Sequence, residues 1–303
     1  VEEVGLSEQK PITIEIDGVS FQLREKENFA WLKDLGRVFC VFDQQDSGNI
    51  CFGVEKAGRK RLIKYAGAKT LHCPDEPQAA VARLQAAIPV YQALQHPNLV
   101  ALEEHFAAGN GYLAVFDWFN GECLHSHWLF DRYEKYTHPQ SSYYRYRQLP
   151  VAKRLKSLDD IFSFHVHMES QGYVAIDFYD GSILYDFTRD LTKICDIDFY
   201  RPRPVCNTAG AHFWGSKRFK SPEEYEAGAP IDEKTNVFNM GAIAFGLLGG
   251  ELDRSPEKWE ATDELYKVAC KATEPDRKKR YVSVRQFYEY WQKPNGPEKT
   301  LSI

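Results

Sequence analysis

A chain of 303 residues is about twice the length of a typical single-core domain, so two lobes or subdomains are expected. Hydrophobic residues make up 43% and charged residues 27%, which is too apolar for disorder. The longest apolar stretch, Gly241 to Gly250, is about half what a membrane span needs, so no membrane association is expected. The 38 Lys plus Arg against 43 Asp plus Glu leave a net charge of −5, which argues against a global nucleic-acid footprint. Cysteines fall at Cys40, Cys51, Cys73, Cys123, Cys195, Cys206 and Cys270, never spaced as CxxC. That is the thiol usage of a reducing compartment, without a disulfide frame or zinc site. No basic-then-apolar segment opens the sequence, so a cytoplasmic protein is expected.

The first half reads as strands. Ile12–Ile16 and Val19–Leu23 alternate around Asp17-Gly18, a strong hairpin signal. Arg37 to Asp43 and Asn49 to Glu55 form a second hairpin turned by Asp46-Ser-Gly48, and Lys60 to Ala66 is a further strand entered through Gly58. An Ala-rich helix is expected from Pro77 to Leu94, kinked or split at Pro89. Strands Leu99 to Ala107 and Tyr112 to Trp118 meet at Gly109-Asn-Gly111. After Gly121 the periodicity becomes helical. Leu149 to Ser170, Asp232 to Leu248, Glu257 to Lys271 and Ser283 to Gln292 are expected as helices, with short strand-like runs between Ile183 and Tyr200. The chain is therefore expected to be bilobal and α+β.

Three residues invite a chemical reading. Lys64 sits among Leu62, Ile63, Tyr65 and Ala66, and a Lys buried in such a strand needs an anionic partner. Asp177 and Asp196 each end a short apolar run. They are either turn acceptors or a base and a metal ligand facing one phosphate. Residue type alone leaves both readings open.

Order and spacing resemble the protein kinase family, in its divergent bacterial eukaryotic-like serine/threonine form. Arg61-Leu-Ile-Lys64 resembles that family's strand-3 Lys motif, and Gln95-His-Pro-Asn-Leu-Val100 resembles the turn after its C-helix. Tyr112 to Phe119, ending at Gly121, is similar to the fifth strand and hinge. Gly172 to Leu184 aligns without gaps on the catalytic loop, and Lys193-Ile-Cys-Asp196 on the strand before the DFG triplet. Ser221-Pro-Glu223 stands where APE is expected, followed by a helix through Asn236 to Gly241. Arg280 is similar to the Arg that pairs with the Glu of APE, here Glu223.

The resemblance implies a bilobal kinase-like fold: an antiparallel β N-lobe with one main helix over 37–119, a helical C-lobe over 120–303, and an N-terminal β-hairpin extension over 1–36. It implies ATP and Mg²⁺ as cofactors. Lys64 would bind the α- and β-phosphates, with Gly36 and Val41 in the glycine-rich loop. Phe116 would be the gatekeeper, and the backbone from Asp117 to Phe119 would hydrogen-bond adenine. Asp177 would orient the acceptor hydroxyl, and Asp196 would be the main Mg²⁺ ligand, with Ser182 at the second ligand position and Asp198 beside it. The implied activity is transfer of the γ-phosphoryl group to Ser/Thr of a protein substrate. A pseudokinase scaffold and a small-molecule, aminoglycoside-type kinase are the alternatives, and the oligomeric state is not implied.

The sequence departs from the family at several points. Gly36 is the one glycine retained in the expected loop. The C-helix Glu falls at Ala87, with Gln85 the nearest polar residue. His and Arg before the catalytic Asp become Ala175 and Ile176, which removes the usual partner of a phosphorylated activation loop. The loop Lys becomes Tyr179, and Asn236 replaces an Asp that anchors the loop from below.

Other signals weigh less. Arg132 to Arg147 interleaves tyrosines with basic residues, which suits single-stranded nucleic acid or a long connection packed on a helical lobe, and the packed connection is preferred. His125-x-His127 and His165-x-His167 lack a completing Cys or carboxylate, so metal binding is not expected there. The basic run Lys56 to Arg61 reads as a solvated turn. The N-terminal hairpin either caps the small lobe or binds a partner.

Overall fold

A computed structural model describes residues 10–293, so the ends of the expected 1–36 and 120–303 segments lie outside the described residues. The architecture is mixed α+β, and every ladder between named strands is antiparallel. Two compact units are present among the described residues: 10–92 with Val100–Trp118, and Ala93–Leu99 with 119–293.

The first unit begins with the hairpin β1 (Ile12–Ile16) and β2 (Val19–Leu23), turned by Asp17 and Gly18 at φ 53° and 84°. These positive angles give the turn the twist that paired strands need. A one-turn helix α1 (Leu32–Leu35) leads into β3 (Arg37–Phe42), β4 (Asn49–Lys56) and β5 (Arg59–Ala66). Helix α2 (Pro77–Ala93) and strands β6 (Leu102–Ala108) and β7 (Gly111–Asp117) complete the unit. The sheet order is β3-β4-β5-β7-β6.

On one face of this sheet, Ile50, Phe52, Ile63 and Tyr65 pack against Phe21, Leu23, Phe29 and Leu32. Phe52 meets Phe21 and Phe29 edge-to-face at centroid distances of 5.6 and 5.2 Å. Each such burial contributes roughly 1.5–3 kcal/mol. Two carboxylates fasten the hairpin to β3: Asp17 accepts from the Val38 N–H and Asp43 from the Gln22 N–H, both at 2.8 Å. The hairpin is therefore a cap on one face of the sheet.

Two local expectations change here. Helix α2 runs unbroken through Pro89. The carbonyl that Pro89 cannot serve belongs to Gln85, which is exposed and open to water. Strand β6 begins at Leu102 rather than Leu99, because Leu99 bridges to Ile194 and the Asn98 carbonyl accepts from the Ile194 N–H at 2.7 Å. Those bonds explain why 93–99 belongs to the second unit. The basic run is paired as well as solvated: Arg59 and Arg61 both reach Glu103, the Arg61 contact at 2.9 Å.

The second unit opens with β8 (Glu122–Cys123) and helices α3 (Ser142–Arg147) and α4 (Val151–Ser170). Short strands follow: β9 (Tyr173–Val174), β10 (Ile183–Asp186), β11 (Leu191–Ile194), β12 (Arg201–Pro202), β13 (Val205–Cys206) and β14 (Pro230–Ile231). Helices α5 (Glu233–Leu248), α6 (Asp263–Ala272) and α7 (Val284–Gln292) close it. Every residue of α5 from Thr235 to Leu248 is buried, which makes it the axis of the unit. Helix α6 starts six residues later than periodicity suggested. Thr262 caps it by accepting from the Leu265 N–H, and the preceding Pro256–Lys258 form a separate single turn.

The Tyr-rich segment is a packed connection. Tyr143 and Tyr146 are buried, the Tyr143 hydroxyl donates to the Gly246 carbonyl at 2.6 Å, and Arg145 and Arg147 pair with Glu122 and Glu260. The pair implied for Glu223 also forms. Arg280 grips Glu223 through both nitrogens at 2.7 and 3.0 Å, and both residues are at least 95% buried. Removing one member of such a pair leaves a buried charge uncompensated. Arg280→Met is expected to lower the unfolding free energy by roughly 3–5 kcal/mol, read as a fall in urea midpoint at unchanged slope. A midpoint within error of wild type would contradict this.

Candidate active site

Strand alternation decides what Lys64 faces. Its neighbours Ile63 and Tyr65 enter the aromatic core, so Lys64 projects from the opposite face of the sheet, 8% exposed. Its ladder partners are Cys51 on β4 and Ala114 on β7. Helix α2 carries no Asp or Glu, Ala87 is fully buried and Gln85 is exposed. Any carboxylate that balances Lys64 therefore comes from outside this helix.

The expected glycine loop is not where Lys64 is. Gly36 lies five ladder positions along the sheet from Lys64, about 16 Å at strand rise. Its φ of 142° and a virtual Cβ only 2.6 Å from the Glu55 carbonyl show why glycine is needed: the chain crosses the β4 backbone too closely for a side chain. Val41 is one ladder position from Lys64, but it packs into the aromatic core on the other face. The turn at the Lys64 end of the sheet is Asp43 to Gly48, between β3 and β4. On the Lys64 face, Gly53 leaves room for Phe39, whose ring would stand 2.7 Å from a Cβ there. The Phe39 ring meets Trp118 edge-on at 4.9 Å. Phe39 and Gly53 were missed because a bulge between Val38 and Cys40 resets the alternation. The turn was legible from the hairpin Arg37 to Glu55, which already placed two strands ahead of the Lys64 strand.

At the end of β7, Phe116 is buried and meets Tyr91 of α2 edge-on at 4.9 Å. The Asp117 N–H donates to the Ala101 carbonyl at 3.0 Å, and its carboxylate lies 3.7 Å from Arg59. Phe119 belongs to the second unit, where its ring closes over Gly121 and lies beneath Arg189 and Lys193 at 5.6 and 5.9 Å.

In the second unit, the loop bearing Asp177 hangs from α5. Buried Asn236 accepts from the Ala175 N–H at 2.9 Å and donates to Glu169 at 3.3 Å, so its amide takes over the anchoring expected of an Asp. Ile176 packs with Val174 and Ile231, an apolar hold where the kinase resemblance would expect an Arg. The two carboxylates share a backbone geometry. Asp177 and Asp196 have φ of 62° and 55°, a left-handed conformation that Asp adopts more readily than most residues and that Asp17 and Asp190 share.

Ladder register brings the rest together. Ile183 pairs with Ile194, so Ser182 and Cys195-Asp196 emerge at the same end of β10 and β11. The Cys195 N–H donates to the Ser182 carbonyl at 2.9 Å. The Ser182 hydroxyl is buried and meets no hydrogen-bond partner. Asp196 is exposed, while Asp198 is 8% exposed and its carbonyl accepts from Arg201 at 2.8 Å. Burial first, then the charges of Asp196 and Asp177, pushes the Tyr179 phenol far above its ordinary pKa, so it remains a neutral hydroxyl. Tyr200 is raised by burial and by the same two carboxylates, which places Asp177 and Asp196 in one neighbourhood.

His165 ties these loops together. It is fully buried, its Nδ1 donates to the Ile161 carbonyl and its Nε2 accepts from the Tyr200 hydroxyl, both at 2.8 Å. Its ring also stands 4.3 Å from that of Phe178, next to Asp177. Burial lowers its pKa to about 3, despite the Ile161 carbonyl. Among the described residues, no three His, Cys, Asp or Glu side chains converge as a metal-holding group, and no helix is long and apolar enough to cross a membrane. No protein-family model matches the chain, and no curated protein matches it.

A histidine whose folded pKa lies below its unfolded value of about 6.5 contributes stability in full above that value and loses it as pH falls through the folded pKa. Glu169 and Glu224 have the opposite sign, because burial raises both to about 7. His165→Gln should therefore lower stability at pH 8 and flatten the loss between pH 6.5 and pH 4. Parallel stability–pH curves for variant and wild type would contradict that role.

Proposed function

We propose that the chain is an ATP- and Mg²⁺-dependent phosphotransferase that moves the γ-phosphoryl group to a Ser/Thr hydroxyl of a protein, on a bilobal kinase-like fold. The observation that carries this reading is that Ser182 and Asp196 emerge at one end of β10 and β11, while Asp177 and Asp196 both act on the Tyr200 and Tyr179 phenols. The sheet order β3-β4-β5-β7-β6 around Lys64 and the Arg280–Glu223 pair support the same resemblance.

Phosphoryl transfer is mostly positioning and charge stabilisation. Lys64 supplies a cation for the phosphates, presented on the sheet face shared with Leu62, Gly53 and Phe116. The Asp43–Gly48 turn, rather than Gly36, is the segment expected to meet them. Asp177 accepts a hydrogen bond from the acceptor hydroxyl, aligns it and takes its proton late. Asp196 and the Ser182 hydroxyl are hard oxygen donors that suit Mg²⁺, which characteristically keeps waters and substrate phosphates and needs only one or two protein carboxylates. Bound there, Mg²⁺ would neutralise phosphate charge. Tyr179 offers a neutral hydroxyl where the family has a Lys.

Two observations distinguish the alternatives. The absence of an acid from α2 favours a nucleotide-binding scaffold without catalysis. The buried Ser221-Pro-Glu223 turn, clamped by Arg280, favours a protein acceptor over a small molecule by resemblance. The test is transfer of labelled γ-phosphate to the chain itself and to a mixture of protein acceptors. Wild type should label Ser or Thr, and Asp177→Asn should cut the rate at least about 10²-fold, the usual worth of a positioned base. Labelling undiminished in the variant, or none by wild type with Mg²⁺ or Mn²⁺, would overturn the reading.

A further inference from the structure

Asp180 lies three residues after Asp177 and is completely buried. An isolated carboxylate there would be costly, yet this one is surrounded by cations. Arg218 grips it through both terminal nitrogens at 2.7 and 2.8 Å, and the Lys135 ammonium donates to it at 2.5 Å. Arg218 also reaches Glu251 at 2.7 Å and donates to His125 Nδ1 at 3.2 Å, while Tyr136 donates to Glu251 at 3.1 Å. Two anions and two cations thus balance in one buried cluster. Burial lowers the His125 pKa to about 4, despite the pull of Asp180, so the imidazole adds no charge at neutral pH. Burial alone would raise the Asp180 pKa, but the Arg218 hydrogen bonds and the charges of Lys135 and Arg218 outweigh it and hold it below the ordinary carboxylate range.

The cluster joins segments far apart in sequence: 125, 135–136, 180, 218 and 251. Two of them bear on the candidate site directly. Asp180 opens the short turn Asp180–Ser182 that carries the Ser182 hydroxyl, and Arg218 precedes Ser221-Pro-Glu223 by three residues. The Lys135 ammonium also lies 4.3 Å from the Tyr143 ring centroid, so the Tyr-rich connection supplies the cation together with its apolar seat.

We propose that Asp180 is the positioning residue of the Asp177 loop: with Arg218 and Lys135 it locks residues 176–182 to the 213–223 segment as one rigid body. Ile176 cannot fasten that loop by charge, and Asn236 holds only its beginning, at Ala175. The Asp180 cluster, together with the Cys195 N–H on the Ser182 carbonyl, fastens its end. What Asp177 does chemically rests on the phosphotransferase reading; the locking itself does not.

Asp180→Asn keeps the shape and leaves two buried cations facing a neutral amide. It should speed amide exchange of residues 176–182 at least tenfold, while α7 exchanges as in wild type. In transfer assays kcat should fall at least tenfold with KM for ATP within threefold. Arg218→Gln, measured in the same way, should reproduce the pattern and serves if Asp180→Asn does not fold. Arg218→Lys should restore part of the protection. Glu260→Gln, which weakens another ion pair of this unit, should leave 176–182 protected. Unchanged 176–182 exchange in both Asp180→Asn and Arg218→Gln, or loosening spread evenly over the unit, would overturn the inference. A wild type that transfers no phosphate would instead sink the phosphotransferase reading, and the exchange arm would still decide this one.

Discussion

The second unit depends on a buried helix that carries polar side chains. Helix α5 has no exposed face between Thr235 and Leu248, so its Thr235, Asn236 and Asn239 must find hydrogen-bond partners inside the protein. Those partners are the loops of the candidate site. Asn236 holds Ala175 at the start of the Asp177 loop, Thr235 donates to Glu223 at 2.9 Å, and Asn239 donates to the Phe219 carbonyl at 3.0 Å. The helix is fixed by apolar burial, and the loops are fixed because its polar groups have to be satisfied. Asp177, Glu223 and the segment between them inherit their placement from that requirement.

The first unit solves a different problem. Its sheet has one face filled by the aromatic core beneath the N-terminal hairpin, and Lys64 stands on the other. An ammonium that is 8% exposed is costly to bury without an anion beside it. Helix α2 carries no acid, so an anion beside Lys64 comes from elsewhere.

Much of the fold was legible because its signals are local. Asp17-Gly18 specifies a hairpin turn, period-2 alternation specifies β4 and β5, and Ser283 and Asp232 cap the helices that follow them. The distance of Gly36 from Lys64 was not legible, because a glycine before a strand looks the same whether it makes way for a ligand or for the Glu55 carbonyl. The start of α6 was misjudged because Pro256–Lys258 and α6 share one apolar rhythm that the Thr262 cap interrupts. Asp177, Ser182 and Asp196 could be named from order and spacing, whereas the Asp180 cluster could not. It unites residues up to 126 positions apart, and nothing local marks Arg218 as the partner of Asp180.

The phosphotransferase proposal requires that the chain bind Mg²⁺–ATP and that both Lys64 and Asp196 matter for that binding. Thermal unfolding with ATP, with and without Mg²⁺, tests it directly on wild type, Lys64→Ala and Asp196→Asn. Ligand at a hundred times its dissociation constant should stabilise the native state by about 2.7 kcal/mol. The account predicts a Mg²⁺-dependent rise in Tm that both substitutions abolish. Wild type that melts at the same temperature with and without millimolar Mg²⁺–ATP would contradict it, as would a shift that survives both substitutions.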